Sequence, residues 1–454
     1  MNFLRKATVA RLGWTTFAFG LNQIVRLINN VVLARLLAPS LFGLMAIVNM
    51  VRFGVELLSD VGLGQNIVSS PKGHTPNFYD TAWTLQFIRG VALALICTAV
   101  AQPVAVFFEQ PQLAILLPVA SLMFILNGLT SMGGALLQKQ INVKRQAVRQ
   151  LIILIVATVV QIAIALVSPT IWALVIGAVV ATAVNLVGTY LLIPGLKHRF
   201  FIDRETAVHV IHFGKWIFLA SIIYFLAMNF DRLYLAKQIT IADLGVYSIA
   251  KSLSEMINGF TVKASNLVLF PTIAGWQLPE PEVRKKVRHG RRMVLSLAAV
   301  GLAGLVSVSD HLIGLLYDAR YSGAAIVLPL LLLGAWFSLL CTINDSILLG
   351  TRRPAFPALS SGAKLAFYLL AIPLAFHLYG FAVAVAVLSA GEVVRYVTLW
   401  TFSRRQHLGF GRDDLALSLL FLGSIVLFRE ILFLLGLTGG IAVLFPLLHV
   451  LTVR

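Results

Sequence analysis

Long apolar runs separated by short polar or basic connections make up nearly the whole chain. They fall near residues 13–37, 41–68, 82–106, 112–136, 149–168, 171–194, 213–239, 243–272, 292–315, 323–348, 356–376, 380–402, 414–433 and 436–452. Each can cross a hydrocarbon layer about 30 Å thick at about 1.5 Å per helical residue. The pattern predicts an all-α polytopic membrane protein of about fourteen transmembrane helices. Arg429 and Glu430 interrupt the last pair, so residues 414–452 read either as two spans or as one helix and a re-entrant segment.

Three runs carry polar residues on one side only. In VRFGVELLSDVGLG, residues 51–64, the charges Arg52, Glu56 and Asp60 cover about 80° of helix surface at 100° per residue, with Asn49, Ser59 and Asn66 on the same side. Asn22, Arg26, Asn29 and Asn30 share one arc of the first span, with Gln23 at its edge, and the eighth repeats the pattern with Lys251, Glu255, Asn258 and Asn266. An ionised group at the bilayer centre costs roughly 2.5–3.5 kcal/mol on insertion scales, so such stripes are expected to face a water-filled cavity and one another across it. Arg52 with Glu56 and Lys251 with Glu255 could instead neutralise each other as i, i+4 packing pairs, but the stripes hold surplus bases and amides that neutralisation does not require. Arg35, Lys237, Lys364 and Arg429 lie nearer span ends, where long side chains snorkel, and are not assigned to the cavity.

Composition agrees: 59% of the 454 residues are hydrophobic and 12% charged, with a mean hydropathy of +0.90. The formal charge of +18 points to connections beside an anionic leaflet and not to nucleic acid. Alternate connections hold 24 Lys and Arg residues on one side, among them Lys139, Lys144, Arg145 and Arg149, against Arg320 alone on the other. By the positive-inside rule both termini are expected in the cytoplasm. With no small-residue cleavage site, the first span reads as a retained helix. Cys97 and Cys341 form no CxxC, the histidines His74, His198, His209 and His212 form no HExxH, and no GxxxxGK[ST] is present. No metal, cofactor or nucleotide is called for.

Laid over itself at an offset of 202, the chain matches at Trp14/Trp216, Ala18/Ala220, Leu33/Leu235, Ala34/Ala236, Gly43/Gly245 and Ile47/Ile249, with Arg35 opposite Lys237. Each copy sits at the junction of the first two helices of a six-helix half, which points to parallel repeats about an axis along the membrane normal. The expected division is a six-helix lobe at 1–200, a second at 201–403 and two additional helices at 404–454, with the basic connection 195–215 as a hinge-like link.

The stretches LARLLAPSLFGLMAIV, LLSDVGLGQNIV, DTAWTLQFIRGVALAL, FDRLYLAKQITIADLGVYSIA and NLVLFPTIAG resemble the polysaccharide-transport family of the multidrug/oligosaccharidyl-lipid/polysaccharide flippase superfamily. The resemblance covers roughly residues 10 to 400. It implies two six-helix lobes around a V-shaped cavity in a bacterial inner membrane. It also implies a lipid-linked glycan substrate, surrounding membrane lipids, a glycan polymerase and export machinery as partners, and a monomeric transport unit. By position, the family's cavity-lining cations map onto Arg26, Arg52 and Lys251, its junction motif maps onto Asp231 and Arg232, and Arg89 joins the cavity set. The expected function is flipping of a polyprenyl-diphosphate-linked oligosaccharide by alternating access, with Glu56, Asp60, Asp231 and Glu255 as proton- or sodium-coupling candidates. A cation-coupled multidrug exporter of the same fold is the second reading, disfavoured by the basic, amide-rich first two spans. A membrane-embedded glycan polymerase or glycosyltransferase is the third, disfavoured by the very short non-cytoplasmic connections.

Overall fold

The computed structural model describes residues 20–57, 75–133, 143–193, 198–203, 225–265 and 279–444 apart from 352 and 354, with isolated positions 222, 269 and 273. Asp60, Asn66, Asn266, Trp14, Trp216 and both chain ends lie outside them. The helices are α1 (20–36), α2 (Pro39–Leu57), α3 (Pro76–Phe107), α4 (Leu113–Gly128), α5 (Val143–Val167) and α6 (Ile171–Leu192). They continue with α7 (225–238), α8 (Ile241–Ala264), α9 (Glu280–Ser307), α10 (Ser309–Leu316), α11 (Ala324–Gly350), α12 (Ala355–Tyr379), α13 (Phe381–Arg405), α14 (Gly411–Leu434) and α15 (Ile441–Leu444). No strand occurs among the described residues, and nine of their helices are long and apolar enough to cross a membrane. The chain is an all-α polytopic membrane protein.

Three starts differ from expectation, the first being that of α3, at Pro76 and not near 82. Helix α9 begins at Glu280 and not near 292, because Pro281 is preset for a first turn and Glu280 and Glu282 suit the positive helix start. Its basic residues, expected on a connection, therefore form the first turns of a helix. Likewise α5 begins at Val143, which sets Arg149 inside the helix and not on a loop. At the other end, residues 411–434 form one uninterrupted helix through Arg429.

The repeat is visible as geometry. Helix α1 stops after 36 and α2 starts at Pro39; α7 stops after 238 and α8 starts at Ile241, the same offset of 202. Each break is closed by the same backbone bond, Leu37 N–H to Leu33 O at 2.8 Å and Ile239 N–H to Leu235 O at 3.0 Å. Leu33, Ala34 and Ile47 are buried, as are Leu235, Ala236 and Ile249. The repeated letters are packing positions.

Packing divides the chain into two compact units, Met1–Ala242 and Asp243–Arg454. In the first, α3 and α4 touch backbone to backbone at glycines. A Cβ at Gly90 would lie 2.5 Å from the Phe124 carbonyl, and one at Gly128 would lie 3.1 Å from that of Gln86. Such close approach supplies van der Waals packing where lipid offers no hydrophobic drive between helices. In the second unit α11 is the central element, with 78% of its apolar window buried. Its Trp336 is fully buried, stacks on Phe421 of α14 at 5.1 Å and donates to Ser418 Oγ at 2.9 Å.

Helix α14 is clamped to α9 at one end and to α9 and α10 at the other. At one end Arg288 grips Asp413 through two bonds of 2.7 and 2.9 Å, and Arg291 bonds Asp414 at 2.5 Å beneath the Phe410 ring. At the other, Arg429 is 0% exposed, bonds both Asp310 oxygens at 2.9 and 2.8 Å and donates to Ser307 O at 2.7 Å. Arg429 thus does not snorkel, and neither does Lys364, which is buried and bonds Glu392 at 2.5 Å. Lys237 does reach a span end, where it meets Glu109 and the Phe107 carbonyl. Breaking a buried pair by removing one partner costs about 3–5 kcal/mol. Arg429→Leu should therefore lower the melting midpoint of the detergent-solubilised protein sharply, and Arg429→Met with Asp310→Asn should recover much of the loss; equal damage by both would show that the charge pair is not what holds α14.

Candidate functional site

In the first unit the polar side chains of α1, α2, α3, α5 and α7 are positioned by specific contacts. Asn29 Nδ2 donates to Gln161 Oε1 of α5 at 2.9 Å, while its Oδ1 and the Oε1 of Gln23 are buried without hydrogen-bond partners among the described residues. Gln161 fits because α6 offers Gly177 opposite it: a Cβ there would lie 2.1 Å from the Gln161 Cγ. Asn22 and Asn30 are half-buried and Arg26 is exposed. On α2, Arg52 and Glu56 are half-buried, and Arg52 Nε is buried with no hydrogen-bond partner among the described residues. Arg89 of α3 donates to the Glu56 carbonyl at 2.8 Å. Phe53 and Gly54 pack on Phe225 of α7, with a Gly54 Cβ only 2.9 Å from its ring. That contact fixes α2 against the helix carrying Asp231, 2% exposed, and Arg232, half-buried. Asp60, the third charge of the opening stripe, lies outside the described residues.

The DTAWT stretch at the start of α3 holds down the segment that follows α6. Residues 198–203 run along α3, and alternate amides bond its side chains: Arg199 N–H to Asp80 Oδ1 at 3.4 Å, Phe201 N–H to Thr84 Oγ1 at 3.0 Å and Asp203 N–H to Thr81 Oγ1 at 3.0 Å. Donors at every second residue suit an extended chain. His198 anchors the strap: it stacks on Trp83 at 5.4 Å, meets Tyr79 and Tyr190 edge-on, bonds Ser131 Oγ at 2.9 Å and lies 3.6 Å from Asp80. Ser131, His198 and Asp80 have the order of a nucleophilic triad. The Asp80 contact exceeds hydrogen-bond range, however, and Ser131 is 7% exposed with its Oγ already accepting from the Gly133 amide. The three therefore act as a fastening. The beginning of the link expected to act as a hinge is thus tied to α3. The six residues 198–203 carry no sequence signal of this, although Asp80, Thr81 and Thr84 fall on one side of a helix.

In the second unit α8 presents Lys251, half-buried with its Nζ 5.9 Å from the Tyr247 ring centre. Glu255 on the same helix is exposed, and Asn258 is half-buried with its Oδ1 unbonded among the described residues. Nearby is a charge network that the stripe analysis missed. Asp345 of α11 meets Arg395 of α13 at 2.6 Å, Lys364 of α12 meets Glu392 at 2.5 Å, and Arg395 lies 3.9 Å from Glu392. Lys251 is within electrostatic reach of Glu392. Asp345 Oδ1 and Glu392 Oε2 are buried with no hydrogen-bond partner among the described residues, so the network has carboxylate oxygens free to take a proton. Each of α11 and α12 contributes one charge to the network, too few to form a stripe. The i, i+3 pair Glu392 and Arg395 was the available signal.

A membrane-embedded helical fold with polar stripes in both units defines a secondary-transporter class of architecture. The model of a family described as polysaccharide biosynthesis protein matches residues 32–326. The chain belongs to that family. It is 24% identical over 355 residues to the succinoglycan biosynthesis transport protein ExoT of Rhizobium meliloti (strain 1021), covering 77% of this chain and 70% of that one. It is 23% identical over 341 residues to the lipopolysaccharide biosynthesis protein WzxC of Escherichia coli (strain K12), covering 72% and 67%. Among solved structures, the inward closed conformation of the lipid II flippase MurJ superposes with a TM-score of 0.77 over 94% of both chains at 14% identity. An inward-facing multidrug resistance MATE transporter superposes with 0.66 over 88% of this chain and 95% of that one at 12% identity. The chain shares their fold.

Burial holds the His198 imidazole below its ordinary pKa of 6.5, outweighing the attraction of Asp80. A depressed pKa means that the strap's contribution is complete above 6.5 and is lost as pH falls through the lower, folded value. Hydrogen exchange at the Arg199, Phe201 and Asp203 amides should therefore accelerate on acidification in the wild type. It should become nearly pH-independent in His198→Phe, beyond the intrinsic chemical exchange rate. Identical pH profiles in the two proteins would rule the histidine out as the anchor.

Proposed function

We propose that this chain is a transporter and not an enzyme, and that it flips a polyprenyl-diphosphate-linked oligosaccharide or polysaccharide repeat unit across the bacterial cytoplasmic membrane by alternating access. The observation that carries the reading is Arg52: a half-buried guanidinium on a membrane-spanning helix whose Nε has no hydrogen-bond partner among the described residues. Unbonded amide oxygens of Gln23 and Asn29 stand on the neighbouring polar helix of the same unit. A sugar head moving through hydrocarbon would leave many hydroxyls unpaired, and amides together with water satisfy them. A planar guanidinium fork suits a diphosphate better than a lysine does. The names of ExoT and WzxC, a transport protein of succinoglycan biosynthesis and a protein of lipopolysaccharide biosynthesis, support a glycan cargo.

In this reading Arg26, Arg52, Arg89, Lys251 and Arg232 form the cationic lining, with Asn22, Asn29, Asn30, Asn258 and Asp231 beside them. Glu56, one turn from Arg52, steadies the guanidinium. Glu56, Asp60 and Glu255 remain coupling candidates, joined now by Asp345 and Glu392, whose spare oxygens support them. Two six-helix lobes rock about the substrate, both termini are cytoplasmic, and a glycan polymerase with export machinery takes over the product. The multidrug reading draws on the MATE-like fold, but a basic, amide-rich stripe attracts anions and not cationic drugs.

Deleting the gene should make a lipid-linked glycan accumulate on the cytoplasmic leaflet, detected by mass spectrometry of extracted lipids. Unchanged lipid-linked pools together with increased drug sensitivity would favour the exporter. In the complemented strain Arg52→Lys should lower glycan export about tenfold, the equivalent of one charge-assisted hydrogen bond worth about 1.5 kcal/mol. Arg52→Ala should lower it further at normal membrane abundance. Wild-type export by Arg52→Ala at that abundance would make the stripe a packing feature. A reporter fused after Arg454 that is active outside the cell would refute the topology.

A further inference from the structure

Between the first half of α5 and the second half of α6 lies a groove of about 740 Å³, walled by Val148, Ile152, Val180, Val184, Val187 and Leu191. Its walls are apolar and turned outward: Val187 is 60% exposed and Leu191 73%. Arg149 lies in its floor. The arginine is built in: NH1 donates to Asn185 Oδ1 of α6, its stem lies across Gly188, where a Cβ would approach Cγ and Cδ to 3.2 Å, and its Nε is buried without a hydrogen-bond partner among the described residues. Asn185 is neutral, so the guanidinium keeps its full charge.

We propose that this groove is a binding site for one anionic phospholipid of the surrounding membrane, with its phosphate on Arg149 and an acyl chain laid between α5 and α6. Three observations select that occupant. From Val180 to Leu191 the groove runs about 16 Å at 1.5 Å per residue, close to the depth of one leaflet. Arg149 sits nearly two turns into α5, about 9 Å from the helix start at about 1.5 Å per residue, at the depth of the phosphate end of a lipid drawn into the groove. The helix opens with Lys144 and Arg145, so the sequence concentrates positive charge at the helix end beside the groove. Juxtamembrane basic residues draw anionic lipids to that surface. The site is separate from the Arg52 stripe and does not depend on the glycan reading.

The test is retention of lipid by the purified full-length chain, read by native mass spectrometry after detergent exchange in the presence of equal phosphatidylglycerol and phosphatidylcholine. The wild type should retain one phosphatidylglycerol in preference to phosphatidylcholine. Arg149→Gln, which keeps a donor for Asn185, should lower that retention about tenfold through loss of the charge-assisted contact. Val187→Trp fills the groove from an outward-facing position and should abolish retention without disturbing the core. Leu419→Trp, on the outward face of α14 at 62% exposure, should retain lipid as the wild type does. Equal retention of both lipids by the wild type, or undiminished phosphatidylglycerol on a folded Val187→Trp protein, would overturn the proposal. So would displacement of the lipid only by a polyprenyl diphosphate added at stoichiometric amounts, which would assign the groove to the transported substrate.

Discussion

A charged side chain inside a bilayer is tolerated only when something takes the place of its water, and that requirement organises the second unit. Four buried or largely buried bases, Arg291, Arg395, Arg429 and Lys364, each meet a carboxylate on another helix. Because each guanidinium or ammonium must reach its partner within hydrogen-bond distance, the relative height of α9, α11, α12, α13 and α14 is set to within a fraction of a helical turn. Apolar packing alone could not do this, since leucine faces slide past one another with little penalty. Tyr396 Oη, which donates to Asp414 at 2.8 Å while Arg291 bonds the other oxygen, shows how one carboxylate ties three helices.

The first unit uses a different solution. Its helices approach closely at Gly54, Gly90, Gly128, Gly177 and Gly188. Several of its polar groups meet amides and carbonyls: Asn29 with Gln161, Arg89 with the Glu56 carbonyl, and Arg149 with Asn185. Glycine serves here because it makes room for a long polar side chain on the facing helix. Gly177 and Gly188 receive Gln161 and Arg149 in this way.

Span positions and the repeat were legible because both depend on local pattern. A twenty-residue apolar run needs no tertiary information to be recognised, and the matches at Leu33/Leu235 and Ile47/Ile249 mark positions whose burial recurs. Residues four apart share a helix face, so Arg52 and Glu56 could be placed on one side of a helix without tertiary information. Partners on different helices were not legible. Nothing near Arg429 in the sequence names Asp310, and nothing near Lys364 names Glu392, so proximity to a span end was the only guide and it misled. The start of α9 was misjudged because a strongly basic stretch reads as connection by composition, whereas Pro281 and the two early glutamates specify a helix by geometry. The strap at 198–203 needed knowledge of which α3 face stays unpaired, which only the folded chain supplies.

The contrast between the units bears on where an anion would be attracted. A guanidinium locked to a carboxylate contributes almost no net field beyond a few ångströms, because the pair is a dipole. One held by a neutral acceptor keeps a full positive charge, unscreened in a low-dielectric setting. Arg291, Arg395 and Arg429 are of the first kind. Arg149, bonded to Asn185, is of the second. The bases of α9, α13 and α14 therefore fix helices, while Arg149 keeps a charge that attracts anions. A carboxylate in place of Asn185 would cancel that charge without adding a register constraint the fold requires, so Asn185 is the residue whose neutrality Arg149 depends on.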